Sequence, residues 1–520
     1  MKLGLCVSPG RVTTRRGGSG MRHTALIVLL TLVSLNGMSA ADEYFTPAHR
    51  LLGIGASRDA LTEDQIARRV NLMVQSQTFA IMREPLAVPA AKRITGDRRL
   101  QAIFQLAAAR SRVPASIIEA IAYLESWGNP RAQSPSGPRG IMQITHATAL
   151  EMGLHVVRQV RYRTVMERVR VPNGEKKLVT RTVRRRVRYS VLVRDDRLFP
   201  QRAIPAAANY LAHLEQKFGG RDWAIFAYHC GEGCVSEMLD LTRRARGVPK
   251  DQVTVARMFF SASPVWNREL YEAIQTQMLR DYSPTYWFRV MRARQLLSLY
   301  RNHPARFLSL AAEYRTEVTG ANGIPLRAPH RLTVWLKHDD RLFPTSDELV
   351  SGAATKLVKA FNRPAYFGYA LEINPQGQHD LEYLSQASPA AIGTLAYIAF
   401  ETRRLWDALN LQGENFHPLQ VTSLVAPQAD TAKTARSNAL AHRTGQVFDV
   451  DYADLPPVEY ELLRFVLDDL GWEGYLGFVE EGKERLHIGC SPGARDFFVK
   501  VFEDALAQQS SQPVSGGEGL

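Results

Sequence analysis

Cysteine is scarce in this chain, with four residues in 520. Cys6 lies ahead of an apolar segment near the start, which leaves Cys230, Cys234 and Cys490. Their odd number excludes a disulfide framework as the basis of the fold, and no zinc-ribbon spacing occurs. Cys230 and Cys234 are close enough in sequence to close a small loop when oxidised. Long hydrophobic runs are missing as well. The one apolar run, residues 25–35, is shorter than the ~20 residues a membrane span needs. No internal repeat is found, which excludes a solenoid. Acidic residues are in deficit, with 51 Asp and Glu against 65 Lys and Arg and a formal charge of +14. A basic surface implies acidic partners: nucleic acid, an anionic membrane or an anionic polymer. What is present is otherwise ordinary. Hydrophobic residues make up 45% and charged residues 22%, as in globular protein. The length predicts roughly three domains at ~150 residues each.

The beginning of the chain chooses among these partners. Met21, Arg22 and His23 form a short positive region before the apolar run, and Ser39, Ala40 and Ala41 supply small residues before Asp42 and Glu43. This is the layout of a secretory signal, with Met21 as its start and an uncleaved anchor as the alternative. Arg15 and Arg16 hint at a twin-arginine signal, against which stands a Gly-rich spacer. The expectation is an exported protein of the periplasm or cell envelope, which excludes nucleic acid as a partner.

Residues 42–97 read as an N-terminal helical segment. A mainly α domain follows over residues 98–318, interrupted by a segment with period two. Residues 155–194 alternate polar and apolar positions around Asn173-Gly174, the strongest short hairpin signal. They hold eleven Arg and two Lys against two Glu. This is a basic β-hairpin inserted into a helical domain. Its plain reading is a solvated face, and its sharper reading is a clamp on an anionic wall polymer or a membrane surface via residues 158–194. A Gly- and Pro-containing linker spans residues 319–329. Residues 330–505 mix strand-like and helical pieces, as an α+β domain would, and residues 506–520 read as a disordered tail.

One carboxylate stands out. Pro114 suits a helix start and Gly128 its end, while Ile117, Ile121 and Leu124 share one face. Glu125 falls in the last turn beside that apolar stripe. Poor solvation and the negative helix end both disfavour the ionised form there, which suits a general acid. Glu125-Ser126 is followed by Gly140-Ile141-Met142-Gln143 and, much later, by Ala227-Tyr228-His229-Cys230-Gly231. These three ordered motifs resemble those of the soluble lytic transglycosylases, whose fold is lysozyme-like. The family's patterns are Glu-Ser, Gly-Leu-Met-Gln and Ala-Tyr-Asn-Ala-Gly. The resemblance covers residues 98–275 or so and implies a peptidoglycan substrate and no cofactor. It makes Glu125 the catalytic acid and Ser126 its support. It makes Met142 and Gln143 strand-end residues lining the sugar cleft, and Tyr228 an aromatic that contacts both glutamate and substrate. Ile141 replaces the family's Leu, and His229 replaces its Asn. No second acid occurs in the motifs, unlike the carboxylate pair of most glycosidases. In the family the substrate's N-acetyl group assists instead, and a 1,6-anhydro-muramoyl end forms without water. A goose-type lysozyme, which hydrolyses, and a non-enzymatic wall-binding protein are the alternatives.

A second constellation lies near the C-terminus. His442, Asp449 and His487 can give three ligands to a tetrahedral zinc, leaving a fourth place for water, with Glu484 as its general base. Together they resemble the zinc D-alanyl peptidases of the LAS group over residues 330–505, which implies a metallopeptidase-like fold, bound Zn2+ and cleavage of peptide stems. Leu440 and Val447 depart from that family's Ser and Ala. Ala426 stands where the family carries a carbonyl-polarising Arg, a place Arg436 or Arg443 could fill.

Overall fold

A computed structural model describes residues 61–172, 178–281, 283–315, 346–351, 356–361, 364–373, 383–411, 415–426, 437–481 and 484–511, with 336, 337 and 340. The export signal, Asn173-Gly174, the linker at 319–329 and Arg436 lie outside the described residues.

Helix α1 (Glu63–Met82) opens on a capping box in which Thr62 and Gln65 satisfy each other's backbone N–H groups. Helices α2 (Ala87–Gly96), α3 (Arg98–Ser111), α4 (Ala115–Ser126) and the short α5 (His146–Glu151) follow, α3 capped by the Asp97 carboxylate. The period-two segment is a two-stranded antiparallel ribbon, β1 (Val156–Pro172) and β2 (Leu178–Asp195), with one irregularity at Val157/Arg158. Seven helices come next: α6 (Pro200–Phe218), α7 (Arg221–Cys230), α8 (Glu232–Arg244), α9 (Val255–Ser261), α10 (Arg268–Asp281), α11 (Tyr286–Asn302) and α12 (Pro304–Arg315). Cys230 and Cys234 form a disulfide that ties the end of α7 to the start of α8, and Cys490 is a buried free thiol.

The α+β half carries a short pair, β3 (Val358–Lys359) and β5 (Gln386–Ala387), and a five-stranded sheet. The sheet comprises β4 (Tyr369–Leu371), β6 (Leu419–Ser423), β7 (Val447–Asp451), β8 (Leu476–Glu481) and β9 (Arg485–Cys490), in the order β4-β6-β7-β9-β8. Only β4 and β6 run parallel. Helices Pro389–Leu409 and Arg495–Ser511 meet closely at Gly393, where a Cβ would fall 1.9 Å from the Phe498 carbonyl oxygen. The last helix runs to Ser511, so residues 506–511 are not the disordered tail the sequence suggested. Buried Phe502 and Ala505 anchor that final stretch.

Two apolar cores form, and they do not divide as the sequence suggests. One lies among α2, α3, α4, α6, α11 and α12, around Phe104, Ile118, Leu211 and Phe307. The other joins α1 and α7–α10 to the sheet half. Phe259 packs on Trp472 at 5.0 Å between ring centroids, and Tyr271 on Phe465 at 5.9 Å. Arg69 on α1 is fully buried and bonds Asp469 at 2.6 Å and Glu473 at 2.7 Å, both at the end of helix Pro457–Trp472. Burial works against the charge of Arg69, and the two carboxylates overcome it, raising its pKa. The α+β half therefore shares a core with the helical half.

Candidate active site

Helix α4 ends at Ser126, and Trp127 (φ 54°) and Gly128 (φ 68°) turn the chain away through the left-handed region. Glu125 is left at the rim, with its side chain 16% exposed. The Tyr286 hydroxyl donates to Glu125 Oε1 at 2.6 Å. The His229 ring stacks on the Tyr286 ring, 4.3 Å between centroids and 8° apart, with its Nδ1 3.7 Å from the same oxygen. Burial, then the Glu125 charge, push the phenol of Tyr286 well above its ordinary pKa, and the same causes act on Tyr228. Both phenols therefore stay protonated as donors throughout the working range.

The remaining motif residues shape the wall beside Glu125. Tyr228 donates to the Met142 carbonyl at 2.8 Å. Ser126 is buried and donates to the Ile141 carbonyl at 2.7 Å, so it braces the loop and does not face a substrate. Met142 does not line the cleft with its side chain, which is fully buried in the helical core because it is apolar; it offers the site its backbone. Gln143 adopts φ 47° and turns its amide back on the Gly140 carbonyl at 2.9 Å. No named strand runs through this loop; isolated bridges join Gln133 to Arg139 and Arg139 to Ile144. Gly140 (φ 78°) is required here, since a Cβ would sit 1.8 Å from the Arg197 carbonyl oxygen. Arg197, at the foot of the ribbon, is buried on Asp195 at 2.8 Å and donates to the Ile144 carbonyl at 3.1 Å. The ribbon foot thus buttresses the motif loop. Past the end of α7 lies a cleft of about 850 Å³, lined in part by Glu151, Asn209, Tyr210, His213, Gly231 and Glu232.

Tyr286 is the residue that sequence reasoning missed. It belongs to none of the three motifs and opens α11. The signal was present: Ser283-Pro284-Thr285 is a helix-starting turn, and Tyr286, Trp287 and Phe288 follow it.

The C-terminal trio does come together. Asp449 on β7 and His487 on β9 are direct cross-strand partners, and His442 lies in the 3-10 segment Ser437–Thr444. All three are buried. His442 Nε2 is 3.1 Å from Asp449 Oδ1 and 3.2 Å from His487 Nδ1, and His487 Nδ1 is 2.7 Å from Asp449 Oδ1. Three donors on a zinc tetrahedron of ~2.0–2.1 Å radius are about 3.3 Å apart, so the residues fit the ion. His442 Nδ1 faces the Leu424 carbonyl at 2.5 Å, the kind of contact that orients a ligating imidazole. Burial works against the Asp449 carboxylate, but His442 and then His487 outweigh it and hold its pKa well below the usual range. Glu484 directly precedes the strand that carries His487. It is exposed in the turn before β9, and Arg485 shares the face of His487, with its Nε 3.7 Å from Asp449 Oδ2. Ala426 meets His442 only through the backbone, its N–H donating to the His442 carbonyl at 3.2 Å, and Arg443 is half-buried.

Residues 102–168 and 177–247 match a family model described as a transglycosylase SLT domain. The match takes in Glu125, the motif loop and Tyr228, and ends before Tyr286. Among similar proteins, the peptidoglycan transglycosylase gp16 of Escherichia phage T7 is 36% identical over 132 residues, 25% of this chain and 8% of that protein. The membrane-bound lytic murein transglycosylase F 2 of Alkalilimnicola ehrlichii is 24% identical over 201 residues, 37% of this chain and 35% of that protein. The membrane-bound lytic murein transglycosylase F of Yersinia enterocolitica is 29% identical over 146 residues, 27% of this chain and 22% of that protein. The chain thus spans about a third or less of the length of these relatives. Among the described residues, no helix is long and apolar enough to cross a membrane.

Proposed function

We propose that the protein is an exported peptidoglycan lytic transglycosylase with Glu125 as its acid and base. The observation that carries this reading is the Tyr286–Glu125 hydrogen bond, made to a carboxylate within the residues that match the SLT model. Tyr286 and His229 both address Oε1, which leaves Oε2 for the glycosidic oxygen between muramoyl and glucosaminyl units. Glu125 gives its proton to that oxygen as the C1–O bond breaks, and the N-acetyl carbonyl of the same sugar takes up the positive charge at C1. The carboxylate that remains is held by the Tyr286 hydroxyl, whose hydrogen bond strengthens as the charge appears. It then removes the proton of the 6-hydroxyl, O6 closes on C1, and Glu125 is protonated again. No water and no cofactor is consumed. The relatives' printed names agree with this class of substrate. Turbidity loss of purified sacculi by the wild type, beside Glu125→Gln, tests the reading; equal rates for the two would overturn it.

A second reading concerns the sheet half. The interatomic edges of His442, Asp449 and His487 favour a bound zinc ion there. Such an ion would supply a Lewis acid and an activated water on a peptide substrate. The three side chains would hold it, with the Leu424 carbonyl orienting His442. The reading is kept to metal binding and does not extend to D,D-peptidase catalysis. Metal content and thermal stability with and without a chelator, each beside His442→Ala, test it.

A further inference from the structure

We propose that one face of the β1–β2 ribbon is a docking surface for an anionic phospholipid bilayer. In an antiparallel ribbon, directly opposed residues share a face, as do positions two apart. The register pairs Tyr162 with Arg188, Thr164 with Arg186, Met166 with Arg184 and Arg168 with Thr182. One face therefore carries Arg158, Arg168 and Arg170 from β1 and Arg184, Arg186 and Arg188 from β2. None of the six is paired with a carboxylate among the described residues. The opposite face is different: Glu167 neutralises Arg185 there at 3.0 Å. At the foot, Asp196 is taken up by Arg194 and Arg202, and Asp195 by Arg197.

Three arginines at alternate positions of β2, about 7 Å apart, repel one another in an exposed hairpin. Within the ribbon, among the described residues, no carboxylate offsets that repulsion between the arginines. A planar array of phosphates would compensate them, since guanidinium pairs with phosphate through two parallel hydrogen bonds. The apolar residues on this face argue for a bilayer over a dissolved polymer. Tyr162 is 53% exposed, Met166 62% and Val160 44%, all between the arginines. Arg186 lies over the Tyr162 ring at 4.4 Å. An aromatic, a flexible thioether and cations in one plane suit the boundary between headgroups and acyl chains. Along β1 the cationic positions run from Arg158 to Arg170, about 40 Å at ~3.3 Å per residue, enough to lie across several headgroups. The inference rests on the envelope reading only for where such a bilayer would be met.

The test is sedimentation of the full chain with vesicles of phosphatidylcholine alone or mixed with phosphatidylglycerol. The neutral vesicles report any binding by the apolar residues 25–35. The variant R184Q/R186Q/R188Q is compared with R161Q/R163Q/R185Q, which removes the same charge from the other face. Thermal midpoints confirm folding, and turbidity loss of sacculi, read separately, keeps the enzyme reading apart. The expected result is a drop of at least about tenfold in partition to anionic vesicles for the first triple variant, and a much smaller drop for the second. Tyr162→Ser with Met166→Ser should lower the part of the binding that survives high salt. Equal effects of the two triple variants, no preference for anionic vesicles, or displacement by soluble poly(glycerol phosphate) or duplex nucleic acid at matched phosphate would each overturn the proposal.

Discussion

The helical half and the sheet half present their candidate chemistry in opposite ways. Glu125 stands partly exposed at a helix end, and its partners are one phenol and one imidazole from later helices. His442, Asp449 and His487 are buried together at the interior strands β7 and β9, each holding the next. A carboxylate that must meet a large polymer has to be reachable, and the fold exposes it by ending α4 with two left-handed residues. A ligand set has to be rigid, and adjacent strands supply that through register. Glu484, one residue before β9, is exposed.

The largest expected effect that would separate them is at Glu125. Glu125→Gln keeps an acceptor for Tyr286 and should leave the thermal midpoint nearly unchanged, while glycan cleavage falls by ~10²–10⁴ or more. Loss of metal from this variant would break the distinction between the two sites. His442→Ala should do the converse: zinc falls from one per chain to none by elemental analysis, the chelator-dependent part of stability disappears, and glycan cleavage persists.

Arg69→Ala sharpens the comparison from the fold side. It leaves Asp469 and Glu473 buried without their cation, and should cost about 3–5 kcal/mol, read by denaturant unfolding. A single transition for both halves is expected, since they share a core. Two separated transitions would show that they fold independently.

Tyr286→Phe removes a hydrogen bond to a charged group, worth about 1.5–3 kcal/mol, so cleavage should slow by roughly 10–100-fold. Unchanged KM would place the loss in the transition state.

The smallest effect is at the ribbon foot. The Arg194 hydrogen bond, against burial and with help from His155, holds Asp196 well below the ordinary carboxylate range. A depressed folded pKa stabilises the fold in full above the unfolded value of ~3.9, and that contribution declines progressively as pH falls from there through the lower folded value. The midpoint difference between wild type and Asp196→Asn should therefore shrink from about pH 6 to about pH 3. A difference that does not vary with pH would contradict the assignment.

What could be read from the sequence follows distance along the chain. The ribbon was legible because period two and Asn173-Gly174 are local signals. Glu125 could be singled out because its motifs are contiguous words in a fixed order, the first two of which the structure brings to one loop beside it. Tyr286 was not, being a lone phenol whose role depends on α11 crossing the end of α4. The shared core was hidden for the same reason: only the fold brings Arg69 to Asp469. For Met142 and Ser126 the positions were legible, but their inward orientation depends on a loop held by Gly140 and Arg197.

Mass spectrometry of the glycan fragments released from purified sacculi tests the central claim most directly. The account predicts muramoyl ends one water lighter than reducing ends, absent with Glu125→Gln. Reducing ends alone would show a hydrolase and contradict it.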